Sequence, residues 1–148
     1  MRIQSLAHSV YQHQYHVVWG TKYRRKWIKE YAKKELLACL FALAKKHPEI
    51  WISEVNTDED HIHLQIEIPP DVSVAAVVQM LKSETSKYIQ KKFKYVREMY
   101  IDGSIWSVGY FSSTIGLNES QVKKYIQHQG RQEGPKAMKF KQGRLEFS

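Results

Sequence analysis

Residues 61–68, HIHLQIEI, alternate strictly between polar and aliphatic side chains and run directly into Pro69 and Pro70. Successive side chains of a β-strand point to opposite faces of the sheet. The aliphatic face of this strand needs helices to pack against, which leaves a polar face formed by His61, His63, Gln65 and Glu67. The pattern therefore predicts a strand with one buried face and a pair of neighbouring imidazoles on the other.

The segments around this strand predict the other elements. Residues 15–23 (YHVVWGTKY) and 51–56 (WISEVN) are rich in β-branched and aromatic residues, and the second forms a hairpin with 61–68 across the acidic turn 57–60. Apolar residues at helical spacing predict a helix over 28–46 and another, capped by Ser73, as far as about Phe93.

The end of the chain predicts one more strand and one more helix. The strand covers residues 105–114, IWSVGYFSST. The helix opens with Asn118 and Gln121 as a variant of the capping box, and it carries Val122, Tyr125, Ile126 and Gln129 up to Gly130. The order strand, helix, strand, strand, helix, strand, helix predicts an α+β fold. We expect a ferredoxin- or RRM-like antiparallel sheet with helices mainly on one face, plus a C-terminal helix that bears the tyrosine.

A chain of 148 residues suits one domain over residues 1–148, with a core at about 11–132 and a basic extension at about 133–148. The chain lacks an apolar run of membrane-spanning length, and its first residues lack the apolar segment of a secretory signal. We therefore expect a cytoplasmic protein without a membrane partner. The single Cys39 lies in an apolar helical stretch, which favours a small buried side chain over a nucleophile or ligand.

Positive charge favours a nucleic-acid partner. The net charge is +8, and basic residues with interleaved aromatics concentrate in KYRRKWIKEYAKK, KYIQKKFKYVR and KAMKFKQGR. Cations bind phosphates, and aromatic rings stack on unpaired bases. Lysines on the solvated face of an amphipathic helix explain any one cluster equally well, but the three clusters together favour nucleic acid.

Two pairs of residues are candidates for chemistry. Imidazoles two residues apart on a strand can point at one metal ion, although His61 and His63 also fit two surface histidines. Tyr125 and Gln129 are one helical turn apart and project from the same side of the last helix. A tyrosine at the edge of the core and a solvent-facing glutamine would explain that pair without chemistry. If the helix lies across the polar face of the sheet, the four side chains can form one site.

These residues resemble a known family. A His-Ile-His strand, followed after some sixty residues by Tyr125 with Gln129 one turn later, is similar to the HUH single-tyrosine transposases of the insertion sequence 200/605 family, which include REP-associated tyrosine transposases. The similarity extends to YHVVWGTKYRRK, Pro69-Pro70, WSVGYFSSTIG and VKKYIQHQ, and it covers roughly residues 11 to 132.

The resemblance implies a transposase that cleaves and rejoins single-stranded DNA at insertion-sequence ends through a 5′-phosphotyrosine intermediate. It implies Tyr125 as the nucleophile, with His61, His63 and Gln129 as ligands of Mg²⁺ or Mn²⁺. It also implies DNA hairpins as substrates and a homodimer whose subunits share active sites. His128 is expected to face away from this set. Glu67 shares the strand face of the histidines and could orient one of them, but we expect a solvated acid. Two imidazoles would also accept Zn²⁺, so the sequence leaves the metal open.

Two other functions compete with this interpretation. A noncatalytic ferredoxin-like nucleic-acid-binding module would stack bases on strand aromatics such as Tyr110 and Phe111 and would need no metal. In a metal-dependent hydrolase, the histidines would activate water and Tyr125 would be structural. A stable protein–DNA adduct distinguishes the transposase from both. A host-domesticated relative acting on repeated extragenic hairpins would share the same site, and only genome context distinguishes it from the transposase of an insertion sequence.

Overall fold

A four-stranded antiparallel sheet is the centre of the fold. The computed structural model describes residues 4–6, 9–11, 14–114 and 119–132. The described strands are β1 (Gln4–Leu6), β2 (Ser9–Tyr11), β3 (Gln14–Gly20), β4 (Trp51–Thr57), β5 (His61–Glu67) and β6 (Phe111–Ser113). Strands β3 to β6 form the main sheet in the order β4-β5-β3-β6, and β1 pairs with β2 in a separate hairpin that the sequence did not predict.

Four α-helices accompany these strands in the described part of the chain: α1 (Glu30–Lys46), α2 (Val74–Lys92), α3 (Lys94–Met99) and α4 (Glu119–Gln132). Helix α2 begins as predicted, because the Ser73 hydroxyl accepts a hydrogen bond from the backbone N–H of Ala76 at 3.2 Å. Such a cap stabilises a helix by about 1 kcal/mol. The strand order and the helix positions confirm the predicted α+β, ferredoxin-like fold, in which β5 and β3 are the two central strands.

The main hydrophobic core lies between one face of the sheet and the helices α1 and α2. It includes Trp19 of β3, Leu40 of α1, Leu64 of β5 and Leu81 of α2, all fully buried. Each such side chain stabilises the fold by about 1.5–3 kcal/mol. Cys39 belongs to the same core, as the sequence predicted, and burial raises the pKa of its thiol to about 11.

The first predicted strand is too long at its C-terminal end. It ends at Gly20 rather than at Tyr23, because Tyr23 and Arg24 adopt left-handed backbone angles, with φ of 60° and 53°. Residues with side chains rarely adopt these positive φ angles, and a β-strand requires negative ones. The chain therefore turns sharply between β3 and α1.

The last predicted strand, 105–114, is wrong over most of its length. Only Phe111–Ser113 pairs as a strand, and Trp106 forms an isolated bridge with Thr21. Gly109, with φ of 90°, turns the backbone before β6 begins. Helix α3 was not predicted. Asn118 of the predicted capping box and the predicted extension 133–148 lie outside the described residues.

No described helix combines the length and the apolar character that crossing a membrane requires.

Candidate active site

The polar face of the sheet carries both predicted histidines. Along β5 the aliphatic residues are buried in the main core, and His61 and His63 point to the opposite face, where each is partly buried. Strand β3 lies beside them, with Gly20 directly across from His61 and Val18 directly across from His63. Directly opposite residues of an antiparallel pair share a face, with Cβ atoms about 4.5–5.5 Å apart. Gly20 and Val18 therefore mark the immediate surroundings of the two imidazoles.

Helix α4 covers this polar face, as the predicted site requires. Val18, Phe111, Tyr125 and Ile126 form a second hydrophobic cluster, separate from the main core. The rings of Phe111 and Tyr125 are stacked, with centroids 5.7 Å apart and planes inclined by 23°. Tyr125 is fully buried in this arrangement. The cluster places Tyr125 beside Val18, the cross-strand partner of His63.

Gln129 lies one turn further along α4, above Gly20. A Cβ atom at Gly20 would stand 3.0 Å from the Gln129 Oε1 atom, so the side-chain oxygen lies almost against the strand backbone. The Gln129 Nε2 group donates a hydrogen bond to the backbone carbonyl of Val108 at 2.7 Å. Oε1 is buried and has no hydrogen-bond partner among the described residues. The amide thus presents an unused acceptor beside the cross-strand partner of His61.

His61 is oriented by a carboxylate. Its Nδ1 atom lies 2.8 Å from Oδ1 of Asp60, and Oδ2 of Asp60 lies 3.5 Å from the guanidinium of Arg24. The hydrogen bond with His61, followed by the charges of His61 and Arg24, holds the pKa of Asp60 below its usual value despite burial. An ionised carboxylate accepts a hydrogen bond from the Nδ1–H group, and in the neutral ring this leaves Nε2 as the free acceptor. This tautomer can bind a metal ion through Nε2.

The surroundings of His63 favour its neutral form. Burial lowers the pKa of its imidazole, and the neighbouring His16 lowers it further. The rings of His16 and His63 are 5.7 Å apart. The Nε2 atom of His63 is buried without a hydrogen-bond partner among the described residues. His63 therefore presents an imidazole with an unused nitrogen.

The four predicted site residues are thus brought to one face of the sheet: His61, His63, Tyr125 and Gln129. In the described part of the chain, no three His, Cys, Asp or Glu side chains gather as a metal site. His128 is also buried, at 8% exposure. The expectation that Glu67 is a solvated acid is wrong: it is only 2% exposed, because the last residue of the central strand β5 lies between Gln14 and Trp51.

The two aromatic residues of the binding-module alternative are not available for stacking on bases. Tyr110 is 5% exposed and belongs to the main core, while Phe111 is 3% exposed and packs on Tyr125. The structure therefore places both rings in hydrophobic clusters rather than on a binding surface.

Three neighbours of the site were missed by the sequence reasoning: Asp60, Gly20 and His16. Asp60 directly precedes the first histidine, and this adjacency was the available signal. Gly20 and His16 become neighbours of the histidines only through the register of β3 against β5. A single sequence gives no such register.

The first two basic clusters meet through their aromatic residues. Tyr31 from the first cluster contacts Phe93 and Tyr95 from the second, with ring centroids 5.8 Å and 6.0 Å apart, respectively. Nearer the site, a cleft of about 290 Å³ reaches His61. Three basic residues and three acidic residues line it: Arg24, Lys26, Lys123, Asp58, Glu59 and Asp60. The third basic cluster lies outside the described residues.

Comparison with known proteins agrees with these observations. Residues 9–129 match the sequence profile of the family described as "Transposase IS200 like". The chain is 32% identical over 126 residues to the transposase for insertion sequence element IS200 of Salmonella typhimurium, covering 85% of this chain and 82% of that protein. It is 28% identical over 122 residues to the ISDra2 transposase TnpA of Deinococcus radiodurans, covering 81% and 86%, respectively.

A solved structure also has the same fold. The crystal structure of a protein described as a transposase from Deinococcus radiodurans matches with a TM-score of 0.75 at 22% sequence identity. The match covers 85% of this chain and 97% of that one.

Proposed function

Because the chain belongs to the family of IS200-like transposases, we propose that it cuts and rejoins single-stranded DNA at insertion-sequence ends by means of Tyr125. One observation carries this proposal: helix α4 places Tyr125 and Gln129 on the face of the sheet that bears His61 and His63. No such arrangement is needed for a structural tyrosine.

Tyr125 would act as the nucleophile. Its hydroxyl loses a proton as the oxygen attacks the scissile phosphorus, the bond from phosphorus to the 3′ oxygen breaks, and the 3′ oxygen takes up a proton to leave as a hydroxyl, so that no net proton is gained or lost. The product is a phosphodiester between Tyr125 and the 5′ end of the DNA. A second 3′-hydroxyl reverses the same exchange and rejoins DNA without an external energy source, because one phosphodiester replaces another.

A divalent cation fits the residues opposite Tyr125. His61 and His63 offer imidazole nitrogens, and the Gln129 Oε1 atom is a buried acceptor without a partner among the described residues. We propose these three as ligands of Mg²⁺ or Mn²⁺. A cation bound there would polarise the scissile phosphate and offset its charge. Asp60 orients His61 and is itself oriented by Arg24.

The substrate class follows from charge and from the position of the cleft. Arg24, Lys26 and Lys123 line the cleft beside His61 and can pair with the phosphates of a DNA backbone, and we propose that single-stranded DNA, with hairpins at the element ends, is the partner. Because the Tyr125 ring is buried, DNA cleavage requires that α4 moves or that its covering contacts open.

We propose a homodimer in which subunits share active sites. Strand β6 stands at one end of the strand order of the main sheet in the described part of the chain. The edge of a sheet is a place at which a second chain can associate. The few hydrophobic residues that hold α4 on the sheet would suit exchange of this helix between subunits.

The test is covalent capture of DNA. Wild-type protein, Tyr125→Phe and the control Tyr110→Phe are incubated with labelled single-stranded DNA from the element ends, with Mn²⁺ or with EDTA, and resolved on a denaturing gel. We expect a metal-dependent adduct with wild type and with Tyr110→Phe, and none with Tyr125→Phe. Equal cleavage by wild type and Tyr125→Phe without an adduct would favour the hydrolase. Tight binding without cleavage of verified element ends would favour the noncatalytic module.

A further inference from the structure

A lysine outside the site holds the backbone that orients Gln129. The Lys82 ammonium, on α2, donates hydrogen bonds to the carbonyl of Ser107 at 2.6 Å and to that of Gly109 at 2.8 Å. Between these two carbonyls lies that of Val108, which accepts the hydrogen bond from Gln129 Nε2. Lys82 and Gln129 are therefore connected through three consecutive peptide groups.

We infer that Lys82 is a positioning residue that fixes which end of the Gln129 amide faces the histidines. This inference rests on the proposed function, because it concerns the third ligand of the proposed metal site. A carboxamide has a donor end and an acceptor end of nearly equal size, and only the oxygen can bind a cation. A carbonyl held at the nitrogen end therefore selects the orientation that turns Oε1 toward Gly20.

The backbone of the loop is suited to this role. Gly109 has φ of 90°, a left-handed conformation that glycine adopts without strain. The bend lets the carbonyls of Ser107 and Gly109 converge on one ammonium group. The loop is fixed on its other side by hydrogen bonds from the Ser107 N–H to the Gly20 carbonyl and from the Ser107 hydroxyl to the Thr21 carbonyl.

The surroundings explain why a cation is used here. Residues 107–109 form no strand pairing, so their carbonyls need other donors. The Val108 side chain is 74% exposed, so the position of the Val108 carbonyl depends mainly on the neighbouring peptide groups. Charge-assisted hydrogen bonds such as those of an ammonium group are stronger than neutral ones. Removing Lys82 therefore frees the peptide that orients the amide.

The first test measures Mn²⁺ binding by electron paramagnetic resonance for wild type, Lys82→Met, Gln129→Ala and the double variant. Lys87→Met is the matched control, because Lys87 is on the same helix with its side chain 75% exposed. Loss of a group that orients a ligand weakens metal binding by about 10–100-fold. We expect Lys82→Met to fall in this range, Lys82→Arg to recover part of the loss, and Lys87→Met to match wild type. In the Gln129→Ala background, Lys82→Met should change nothing further.

A second measurement needs no variant at position 82. The side-chain amide protons of Gln129 should exchange with solvent far more slowly than those of Gln127, which is exposed on the same helix. Equal exchange rates in the wild-type protein would overturn the inference even if Lys82→Met failed to fold.

The outcomes separate the two proposals. If Gln129→Ala weakens Mn²⁺ binding and folded Lys82→Met does not, the role of Lys82 is refuted and the proposed metal site stands. If Gln129→Ala binds Mn²⁺ as tightly as wild type does, both the ligand role of Gln129 and the positioning role of Lys82 are refuted.

Discussion

Replacing Gly20 by alanine should damage the proposed metal site while leaving the fold largely intact. The new Cβ atom would stand 3.0 Å from Gln129 Oε1 and 3.3 Å from the Ile126 Cδ1 atom. Ordinary contacts begin near 3.4 Å, so Oε1 must retreat by roughly 0.4 Å. Metal–ligand distances tolerate only about 0.2 Å. The oxygen is therefore displaced beyond the range of a good ligand.

The size of the effect follows from two opposing contributions. Overpacking by one methyl group costs about 1–3 kcal/mol, while replacing glycine in a strand recovers about 0.5–1 kcal/mol. We therefore expect the free energy of unfolding to fall by about 1–2 kcal/mol. Displacing a metal ligand should weaken Mn²⁺ binding by at least about tenfold, or about 1.4 kcal/mol.

The assay is a double-mutant cycle in Mn²⁺ binding, accompanied by denaturant unfolding of every variant. If the methyl group acts through Gln129, Gly20→Ala should have no further effect in a Gln129→Ala background. Ile126→Val is the matched control, because it removes the other atom that the methyl group approaches. It should recover stability in combination with Gly20→Ala without recovering metal binding.

Two results would refute this reasoning. Mn²⁺ binding of Gly20→Ala equal to that of wild type would mean that Oε1 is not a ligand or that it adjusts freely. An undiminished loss of binding in the Gln129→Ala background would mean that the methyl group acts on another part of the site.

Two further predictions concern the histidines. Asp60→Asn should weaken Mn²⁺ binding by about tenfold, because His61 loses its ionised partner. The control Asp58→Asn changes an exposed residue and should leave Mn²⁺ binding unchanged. Equal Mn²⁺ binding by both variants would contradict the role of Asp60. Because burial first, and His16 second, lowers the pKa of folded His63 below its unfolded value of about 6.5, the unfolded state binds the proton first as the pH falls. The contribution of neutral His63 to stability is complete above pH 6.5 and is lost as the pH drops through the lowered folded pKa. The free energy of urea unfolding, measured from pH 7.5 to 5, should therefore depend less on pH for His63→Gln than for wild type. Identical slopes of unfolding free energy against pH would contradict the shift.

The sequence predicted the parts of the fold that depend on local pattern. The alternation of residues 61–68 predicted β5, and the Ser73 cap predicted the start of α2. The prediction of a strand over 105–114 was wrong, because the composition of this segment favours a strand while part of its backbone forms other hydrogen bonds. The carbonyls of Ser107 and Gly109 bind Lys82, a contact between residues 25 and 27 positions apart in the chain. Local propensity carries no information about such a contact.

The same distinction explains what could be predicted of the site. Tyr125 and Gln129 share a helix side by spacing, and His61 and His63 share a strand face by alternation. The packing of α4 through Val18 and Ile126 decides which side of the helix meets which face of the sheet. From the sequence, the position of the helix across the polar face was only an assumption.

The proposed site combines two parts of unequal rigidity. His61 and His63 lie on β5, which is paired on both sides and backed by the main core. Tyr125 and Gln129 lie on α4, which a small cluster of Val18, Phe111, Tyr125 and Ile126 holds on the sheet. Elements with few buried contacts open at lower free-energy cost than the global fold does. An opening that lifts α4 off the sheet also withdraws Gln129 from the histidines, whereas an opening of the contacts that cover the Tyr125 ring leaves Gln129 in place. When α4 moves as a whole, the proposed nucleophile and the proposed third ligand arrive and leave together, so we expect the proposed metal site to be complete only when α4 lies on the sheet.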